Sequence, residues 1–324
     1  MFVSEELKDT IVISGPLIGD HHSRCFDSYR LVYSEKNVMS QDEFNQVARE
    51  ATAAIVMTSI RVTKELIDSA PKLRVISNFG VGYDNIDVAY ARKKGIIATN
   101  TPDVLTTSCA ELGVALVMAT SRRLVEGYRL MERNEFKGWK VDLLLGSELR
   151  NKTLGILGCG RIGQSMAGIM SGFGLNLLYH NRSKLNEDIE KELGIRYVDF
   201  LSLTAQSDIL VVAAPLNDDN RHMFMLDTFR EMKKNSILIN IGRGGIINEQ
   251  DLLVALKEGF IGGAGLDVFE NPHDIPPELR YHPKVTLTPH IGSGTQEARD
   301  SMSELAVQAV VDVLNGKRPQ YEIR

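Results

Sequence analysis

This chain of 324 residues has few cysteines, no long apolar run and only a small excess of negative charge. Cys25, Cys109 and Cys159 are odd in number and widely spaced, which favours reduced thiols in a cytoplasmic protein over a disulfide framework. No run approaches the roughly 18 apolar residues of a membrane-spanning helix, and the start, MFVSEELKDT, has no signal-peptide pattern. We therefore expect a cytoplasmic protein with no membrane partner.

The charge balance is slightly acidic and excludes one further class of partner. A net charge of −5 gives no electrostatic case for nucleic-acid binding. The hydrophobic content of 43% and charged content of 24% are ordinary for a globular protein, and the length predicts two domains. The residue pattern suggests no metal site.

Short apolar runs alternate with helical patterns along most of the chain, which predicts parallel sheets covered by helices on both faces. The expected strands lie at 11–14, 54–57, 73–76, 96–98, 153–157, 175–180, 209–213, 236–241, 262–266 and 285–288. A long helical pattern at about 105–124 separates the two series, and a last one covers about 295–315. We predict an α/β protein with two Rossmann-like, doubly wound domains. The second domain, 101–292, is inserted into a discontinuous flavodoxin-like first domain, 1–100 with 293–324.

The segment Gly158–Gly163 reads GCGRIG and lies between an apolar strand pattern and a helical one. In a strand–turn–helix unit Gly158 permits the tight turn, Gly160 lets the backbone approach a phosphate, and Gly163 lets the helix pack on the strand. An ordinary glycine-rich loop is the alternative. With strand and helix in register, the pattern favours dinucleotide binding.

The residues after the next predicted strand are Asn181, Arg182 and Ser183. An acid that binds the ribose 2′-hydroxyl is expected about 20 residues after such a glycine turn. Here an amide, a guanidinium and a hydroxyl replace it, and these groups can bind a 2′-phosphate. The site chemistry favours NADP(H), with NAD(H) possible, although a solvated loop arginine would look the same in sequence.

Two further polar side chains follow predicted strands, where ligands gather in open α/β sheets. Arg243 lies in a glycine-bounded turn, and arginine suits bidentate recognition of a carboxylate. His290 follows Pro289 in a second loop, and histidine is the usual acid–base group near neutral pH. A surface ion-pair arginine and a structural histidine are the alternatives for each residue alone, but together they favour catalysis.

In sequence order, these motifs resemble the D-isomer-specific 2-hydroxyacid dehydrogenase family over nearly the full chain. The matching segments are NFGVGYDNID at 78–87, TNTP at 99–102, the glycine turn, APL at 214–216, GRG at 242–244, GLDVFE at 265–270 and PHIG at 289–292. The Asn181–Ser183 loop is similar to the glyoxylate/hydroxypyruvate reductase branch, for which the resemblance implies an NADPH preference.

The resemblance implies roles for the matching residues. Arg243 would bind the substrate carboxylate and polarise the 2-oxo carbonyl, and His290 would donate a proton to the carbonyl oxygen. The backbone amides of Val81 and Gly82 would bind the carboxylate, and Trp139 would reach the active site of a partner in a homodimer. The implied cofactor-binding set is Gly158, Gly160, Arg161, Ile162, Gly163, Asn181, Arg182, Ser183, Pro215, Asn220, Ile241, Asp267 and Gly292.

Within that set, Asp267 would bind the nicotinamide carboxamide, although a buried helix-capping aspartate is equally plausible from sequence. An ordinary core or interface tryptophan is the alternative for Trp139.

The sequence departs from the family pattern at one position, where a glutamate is missing. The family places a glutamate five residues after the aspartate equivalent to Asp267, where it pairs with the catalytic histidine. An ungapped count reaches Pro272 instead, and one deletion reaches Asn271. Glu270 is the catalytic substitute that we expect, with Asp274 as an alternative and a solvent-facing Glu270 as another.

These features together predict an NADPH-dependent reductase of small 2-oxo acids, such as glyoxylate or hydroxypyruvate. An NAD-linked dehydrogenase of another D-2-hydroxy acid is one alternative. A dinucleotide-sensing scaffold that binds other proteins is a second, and the missing glutamate favours it slightly.

Overall fold

The computed structural model describes residues 9–324, so most of the N-terminal segment MFVSEELKDT, in which no signal-peptide pattern was found, lies outside the described part. The chain divides into two compact units. One contains the described residues up to Leu105 together with Ser293–Arg324, and the other contains Thr106–Gly292.

The first unit is built on a five-stranded parallel sheet in the order β2-β1-β3-β4-β5. Its strands are β1 (Thr10–Ile13), β2 (Arg30–Tyr33), β3 (Ala53–Met57), β4 (Val75–Phe79) and β5 (Ile97–Thr99). Its helices are α1 (His21–Cys25), α2 (Gln41–Ala48), α3 (Lys64–Ser69), α4 (Val88–Lys93) and the C-terminal helix, Gln296–Leu314. This strand order is that of flavodoxin-like sheets. The C-terminal helix packs on β3, β4 and β5, which makes the unit discontinuous in sequence.

The second unit contains a seven-stranded parallel sheet in the order β12-β11-β10-β9-β6-β7-β8. Its strands are β6 (Thr153–Leu157), β7 (Asn176–His180), β8 (Ile195–Tyr197), β9 (Ile209–Val212), β10 (Ile237–Asn240), β11 (Gly263–Leu266) and β12 (Val285–Leu287). Its helices are α5 (Thr106–Ser121), α6 (Leu124–Glu132), α7 (Arg161–Ser171), α8 (Glu187–Leu193), α9 (Phe200–Gln206), α10 (Leu226–Glu231), α11 (Glu249–Glu258) and α12 (Pro277–Arg280). The order reverses between β9 and β6, and such a switch point is where ligands bind in open α/β sheets.

Apolar side chains of the second sheet enter two separate cores, one on each face. Leu154, Ile156 and Tyr179 pack with α5 and α7, whereas Leu210, Val212 and Leu238 pack on the opposite face. Because both faces are covered, the strands are apolar at nearly every position rather than at alternate ones. The predicted fold class, two parallel-sheet α/β domains, is confirmed.

The expected elements differ from the observed ones in a few places. The helix predicted at 105–124 ends at Ser121, because Arg123 adopts a left-handed backbone with φ of 53° before α6 begins. Strands β2 and β8 were not expected. Each is short and forms an edge of its sheet, and β2 has no fully buried residue to give it an apolar run.

Among residues 9–324, no helix is both long enough and apolar enough to cross a bilayer.

Candidate active site

Six neighbouring strands of the second sheet each end in one of the predicted site segments. From one side to the other, β12 leads to His290, β11 to Asp267, β10 to Arg243, β9 to Pro215, β6 to the glycine turn and β7 to Asn181. Parallel pairing brings the carboxyl ends of these strands to one edge of the sheet. The sheet therefore gathers residues that are far apart in sequence at its switch-point edge.

The three glycines of the turn are required for three different reasons. Gly158 has φ of 92°, and a Cβ there would overlap the backbone of Ala214. A Cβ on Gly163 would lie 2.7 Å from the Gly158 carbonyl oxygen, so this glycine lets α7 pack against the turn. A Cβ on Gly160 would meet no atom of the chain within 4 Å, and Gly160 is exposed.

Gly160 therefore leaves open space directly before α7. No side chain caps the N-terminus of this helix, whose first amides and dipole favour an anion. Arg161 and Ile162 form its first turn, and Arg161 is exposed. The turn has the form and polarity that a dinucleotide pyrophosphate needs.

The three residues after β7 have different environments. Asn181 is committed to the glycine turn, because its Oδ1 accepts from the Cys159 amide at 2.7 Å and its Nδ2 donates to the Cys159 carbonyl at 3.3 Å. Arg182 and Ser183 are exposed. Among residues 9–324, no hydrogen bond or ion pair holds the Arg182 guanidinium. Arg182 and Ser183 remain the groups at this position that are able to bind a 2′-phosphate.

Cys159 is a filler residue in this turn. The side chain is fully buried, and burial raises the pKa of its thiol to about 12. A thiol that stays protonated near neutral pH is a poor nucleophile.

The Pro215–Asn220 loop after β9 is organised by its own asparagine. Asn220 is buried, its Nδ2 donates to the Pro215 carbonyl at 2.7 Å, and its Oδ1 accepts from the Asn217 amide at 2.8 Å. Pro215 is exposed at the end of β9. Asn220 thus supports the loop, while Pro215 lies at its surface.

The Arg243 turn is held from beneath by Asn240, the buried last residue of β10. Its Oδ1 accepts from the Gly242 amide and its Nδ2 donates to the Arg243 carbonyl, both at 3.0 Å. A Cβ on Gly244 would overlap the backbone of Phe269, so this glycine is required by close approach of two segments. The half-buried Ile241 lies between Asn240 and the turn. Arg243 is therefore presented by a tightly packed turn.

Asp267 holds the loop that carries His290. Its carboxylate is 1% exposed and accepts three hydrogen bonds: from Thr288 Oγ1 at 2.7 Å, from the Ile291 amide at 2.8 Å and from the Gly292 amide at 2.9 Å. Its backbone carbonyl also accepts from the His290 amide at 2.9 Å. These contacts support a left-handed backbone at His290, with φ of 54° and an exposed side chain.

Glu270 contacts a histidine that the sequence did not indicate. Its Oε1 lies 2.6 Å from Nε2 of His222, and its amide donates to Glu249 Oε1 at 2.7 Å. The His222 amide in turn donates to the Gly245 carbonyl beside the Arg243 turn. Asn271, Pro272 and Asp274 form an exposed turn. The structure therefore gives Glu270 a place beside the Arg243 turn, bound to His222.

In the first unit, the loop after β4 carries Val81 and Gly82, which are both half-buried. It lies at the carboxyl edge of the first sheet, as the other segments do in the second. In the second unit, Trp139 is 82% exposed and follows α6.

The sequence did not indicate five residues whose side chains form hydrogen bonds with these loops: Asn78, Asn100, His222, Asn240 and Thr288. Asn78 and Asn240 carried a signal, because each interrupts an apolar strand near its carboxyl end. His222 carried none, since its partner is 48 residues away in the chain.

In the part of the chain that the structure describes, no group of three or more His, Cys, Asp and Glu side chains could hold a metal ion.

Two parallel-sheet units, of which the second has a switch point of the dinucleotide-binding type, define a two-domain Rossmann-like protein. The model of the D-isomer specific 2-hydroxyacid dehydrogenase NAD binding domain matches residues 114–292. The chain is 44% identical to the glyoxylate reductase of Thermococcus litoralis over 275 residues, which are 84% of this chain and 83% of the relative. The chain belongs to the D-isomer-specific 2-hydroxyacid dehydrogenase family, in its glyoxylate reductase branch.

Solved structures agree with this assignment across both units. A protein of Thermus thermophilus matches with a TM-score of 0.90 at 32% identity, covering 97% of this chain and all of that one (100%). The NADPH-dependent glyoxylate/hydroxypyruvate reductase of Sinorhizobium meliloti, solved with NADP and malonate, matches with a TM-score of 0.85 at 29% identity. That match covers 98% of this chain and 97% of the relative.

Proposed function

We propose that this enzyme reduces small 2-oxo acids such as glyoxylate and hydroxypyruvate to 2-hydroxy acids, with NADPH as the preferred reductant. The observation that carries the proposal is the delivery of Arg243, Asp267 and His290 by three neighbouring strands to the edge that bears the glycine turn. The names of the relatives, glyoxylate reductase and glyoxylate/hydroxypyruvate reductase, support the substrate class.

The dinucleotide would be held by the second unit. Gly160 and the first turn of α7 would bind the pyrophosphate, and Pro215, Ile241 and Gly292 would border the rest of it. When bound, the nicotinamide supplies the hydride. Asp267 would act mainly on the His290 loop, because both of its carboxylate oxygens already accept bonds from that loop.

The preference for NADPH rests on Arg182. Its exposed guanidinium follows β7, where an acidic side chain would repel a 2′-phosphate. Ser183 would add a hydroxyl donor, whereas Asn181 would contribute indirectly by fixing the turn at Cys159.

Arg243 and His290 would carry the substrate chemistry. The Arg243 guanidinium would bind the substrate carboxylate and polarise the 2-oxo group, as planar bidentate donors do. His290 would donate the proton that the carbonyl oxygen needs as the hydride arrives. We leave Glu270 out of this proton transfer and assign it, with His222, to the support of the Arg243 turn.

The two units would have different roles in binding the cofactor and the substrate. We assign the cofactor and the chemistry of Arg243 and His290 to Thr106–Gly292, and we assign further contacts with the substrate carboxylate to the Val81 and Gly82 amides of the first unit. A homodimer is the assembly that we propose, supported by an apolar surface on α6 and the segment after it. Its exposed side chains are Leu124, Tyr128, Met131, Phe136, Trp139, Val141, Leu143 and Leu145.

Steady-state kinetics on a panel of 2-oxo acids test this proposal. We expect the highest kcat/KM with glyoxylate or hydroxypyruvate, and a higher value with NADPH than with NADH. Dinucleotide binding without turnover of any 2-oxo acid would instead favour a scaffold.

Arg243 is tested by replacement with alanine and with lysine. Arg243→Ala is expected to lower kcat/KM at least about 100-fold, because a charged bidentate contact is lost. Arg243→Lys keeps the charge but loses the planar bidentate donor, so it should retain only part of the wild-type kcat/KM. An alanine variant with unchanged kinetics would refute the assignment.

A further inference from the structure

We infer that Asn78 and Asn100 are positioning residues for the substrate carboxylate, because they orient the two backbone amides that would bind it. This inference rests on the proposed function, in which the Val81 and Gly82 amides contact that carboxylate. The residues that carry it are the loop after β4 and its neighbours in the first unit.

The geometry of the peptide bond connects these side chains to the amides. In a trans peptide the carbonyl of one residue and the amide N–H of the next point in opposite directions. The carbonyl of Gly80 therefore sets the direction of the Val81 amide, and the carbonyl of Val81 sets that of the Gly82 amide. A group that fixes either carbonyl fixes the amide on the other side of the same plane.

Both of these carbonyls are held by hydrogen bonds. Asn100 Nδ2 donates to the Val81 carbonyl at 2.7 Å. The Gly80 carbonyl accepts from the Thr101 amide at 3.1 Å and from Asn78 Nδ2 at 3.3 Å. Within residues 9–324, neither the Val81 nor the Gly82 amide donates to another atom of the chain. The loop thus commits its carbonyls to the protein and leaves two adjacent amides for a ligand.

Asn78 is itself fixed on every side. It is fully buried in β4, its Nδ2 also donates to the Gly82 carbonyl at 2.8 Å, and its Oδ1 accepts from Asn85 Nδ2 at 3.0 Å. The same Asn85 amide group donates to the Ile60 carbonyl at 3.0 Å. A buried polar side chain inside an apolar strand is costly unless it is fully bonded, and here its bonds all serve the loop.

Gly80 removes the remaining freedom of the loop. A Cβ at this position would lie 2.7 Å from Thr58 Cγ2, so the backbone runs directly against the residues that follow β3. Steric contact on one side and bonded carbonyls on the other hold the loop before any ligand arrives. Such preorganisation raises affinity by reducing the ordering cost of binding.

The test compares Asn100→Ala with wild type in NADPH-dependent glyoxylate reduction. A carboxylate bound by a misdirected amide loses a charge-assisted hydrogen bond, so the KM for glyoxylate should rise about 10-fold or more. The kcat and the Kd for NADPH should change less than about threefold. Glyoxylamide, which lacks the carboxylate, should show no comparable loss in kcat/KM. A merely structural defect would instead lower kcat/KM for both substrates alike.

Two further variants keep the test decisive. Ser69→Ala removes a side-chain bond to a carbonyl in the same unit, Ser69 Oγ to Leu66 at 2.8 Å, and should leave both KM values unchanged. Asn100→Ser retains a polar group too short to reach Val81, and it replaces Asn100→Ala if the latter fails to fold.

The outcomes separate this inference from the proposed function. If wild type reduces glyoxylate and both Asn100 variants keep its KM within about twofold, the positioning role is wrong and the proposed function stands. If wild type does not reduce 2-oxo acids, both fall together.

Discussion

The carbonyl oxygen of Asp267 accepts a hydrogen bond from the His290 amide at 2.9 Å, while the Asp267 carboxylate binds Thr288, Ile291 and Gly292 in the same loop. One buried residue after β11 therefore fixes the loop after β12. Because His290 adopts a left-handed backbone, the loop needs this support to present the imidazole in one orientation.

Thr288→Val tests the support of His290. The change deletes the 2.7 Å bond from Thr288 Oγ1 to Asp267, and a hydrogen bond to a charged group contributes about 1.5–3 kcal/mol. We expect kcat to fall about 10-fold, with the KM for NADPH unchanged. Thr286→Val is the matched control, since Thr286 lies on β12, just before Thr288, and is not among the bonded partners of Asp267 in the described chain. Equal losses in the two variants would contradict the role of Asp267.

Gly160→Ala separates cofactor binding from folding. The added Cβ meets no atom of the chain and the φ of −82° suits alanine, so we expect an unchanged or slightly higher Tm. The Kd for NADPH, measured by fluorescence titration, should rise about 10-fold or more because the methyl occupies the space for the phosphates.

Gly163→Ala is the matched comparison for Gly160→Ala. Its Cβ would press on the Gly158 carbonyl at 2.7 Å, so stability should fall by about 1–3 kcal/mol. A Gly160→Ala variant that binds NADPH as wild type does would show that the pyrophosphate lies elsewhere.

The buried carboxyl of Glu249 makes stability depend on pH. Burial, followed by the nearby charge of Glu270, raises the pKa of Glu249, although a hydrogen bond from the Glu270 amide opposes this shift. The folded state therefore holds the proton more tightly than the unfolded chain. The free energy of unfolding should fall as pH rises from the ordinary glutamate pKa through the raised one.

Glu249→Gln removes that charge and keeps an oxygen for the Glu270 amide. We expect a higher Tm than wild type at neutral pH. The difference should shrink below about pH 4, where the Glu249 carboxyl of wild type is largely protonated in both the folded and the unfolded state. The dipole at the start of α11 favours the charged form, so the gain should be modest. If the Tm difference between the variant and wild type is smaller at neutral pH than at acid pH, the direction of the pKa shift is contradicted.

The apolar surface around α6 is tested through oligomeric state. Trp139 is 82% exposed, and Leu124, Tyr128 and Met131 recur at helical spacing on α6. We expect wild type to have twice the chain mass by light scattering and Trp139→Glu to shift toward the monomer. Leu201→Glu, on α9 and 70% exposed, should leave the mass unchanged. A wild-type monomer would refute the proposed homodimer.

The sequence predicted the sheet architecture well because doubly wound folds repeat one local pattern. Buried strands such as β9 and β10 appear as continuous apolar runs, and the glycine turn marks the switch point. Edge strands such as β2 carry no such run. The break after Ser121 depends on one left-handed residue, Arg123, which no periodicity reveals.

The placement of Arg243 and His290 at strand ends was predictable, because each follows an apolar strand pattern in the sequence, and their catalytic roles stay predictions. The residues that hold these loops were not predictable, because a hydrogen bond such as His222 to Glu270 joins distant parts of the chain. Glu270 itself was expected to serve His290, and the fold places it beside the Arg243 turn. The role of Asn181 was also only partly apparent, since the sequence does not show that its amide binds Cys159.

Transfer of the hydride from NADPH to glyoxylate tests the proposed function directly. Enzyme is supplied with glyoxylate and with NADPH that is deuterated at the transferable position of the nicotinamide C4 carbon, and the product is analysed by mass spectrometry. The proposed function predicts glycolate with one deuterium on carbon, matched in amount to the NADP formed. NADPH that binds but leaves glyoxylate undeuterated and unreduced would contradict it.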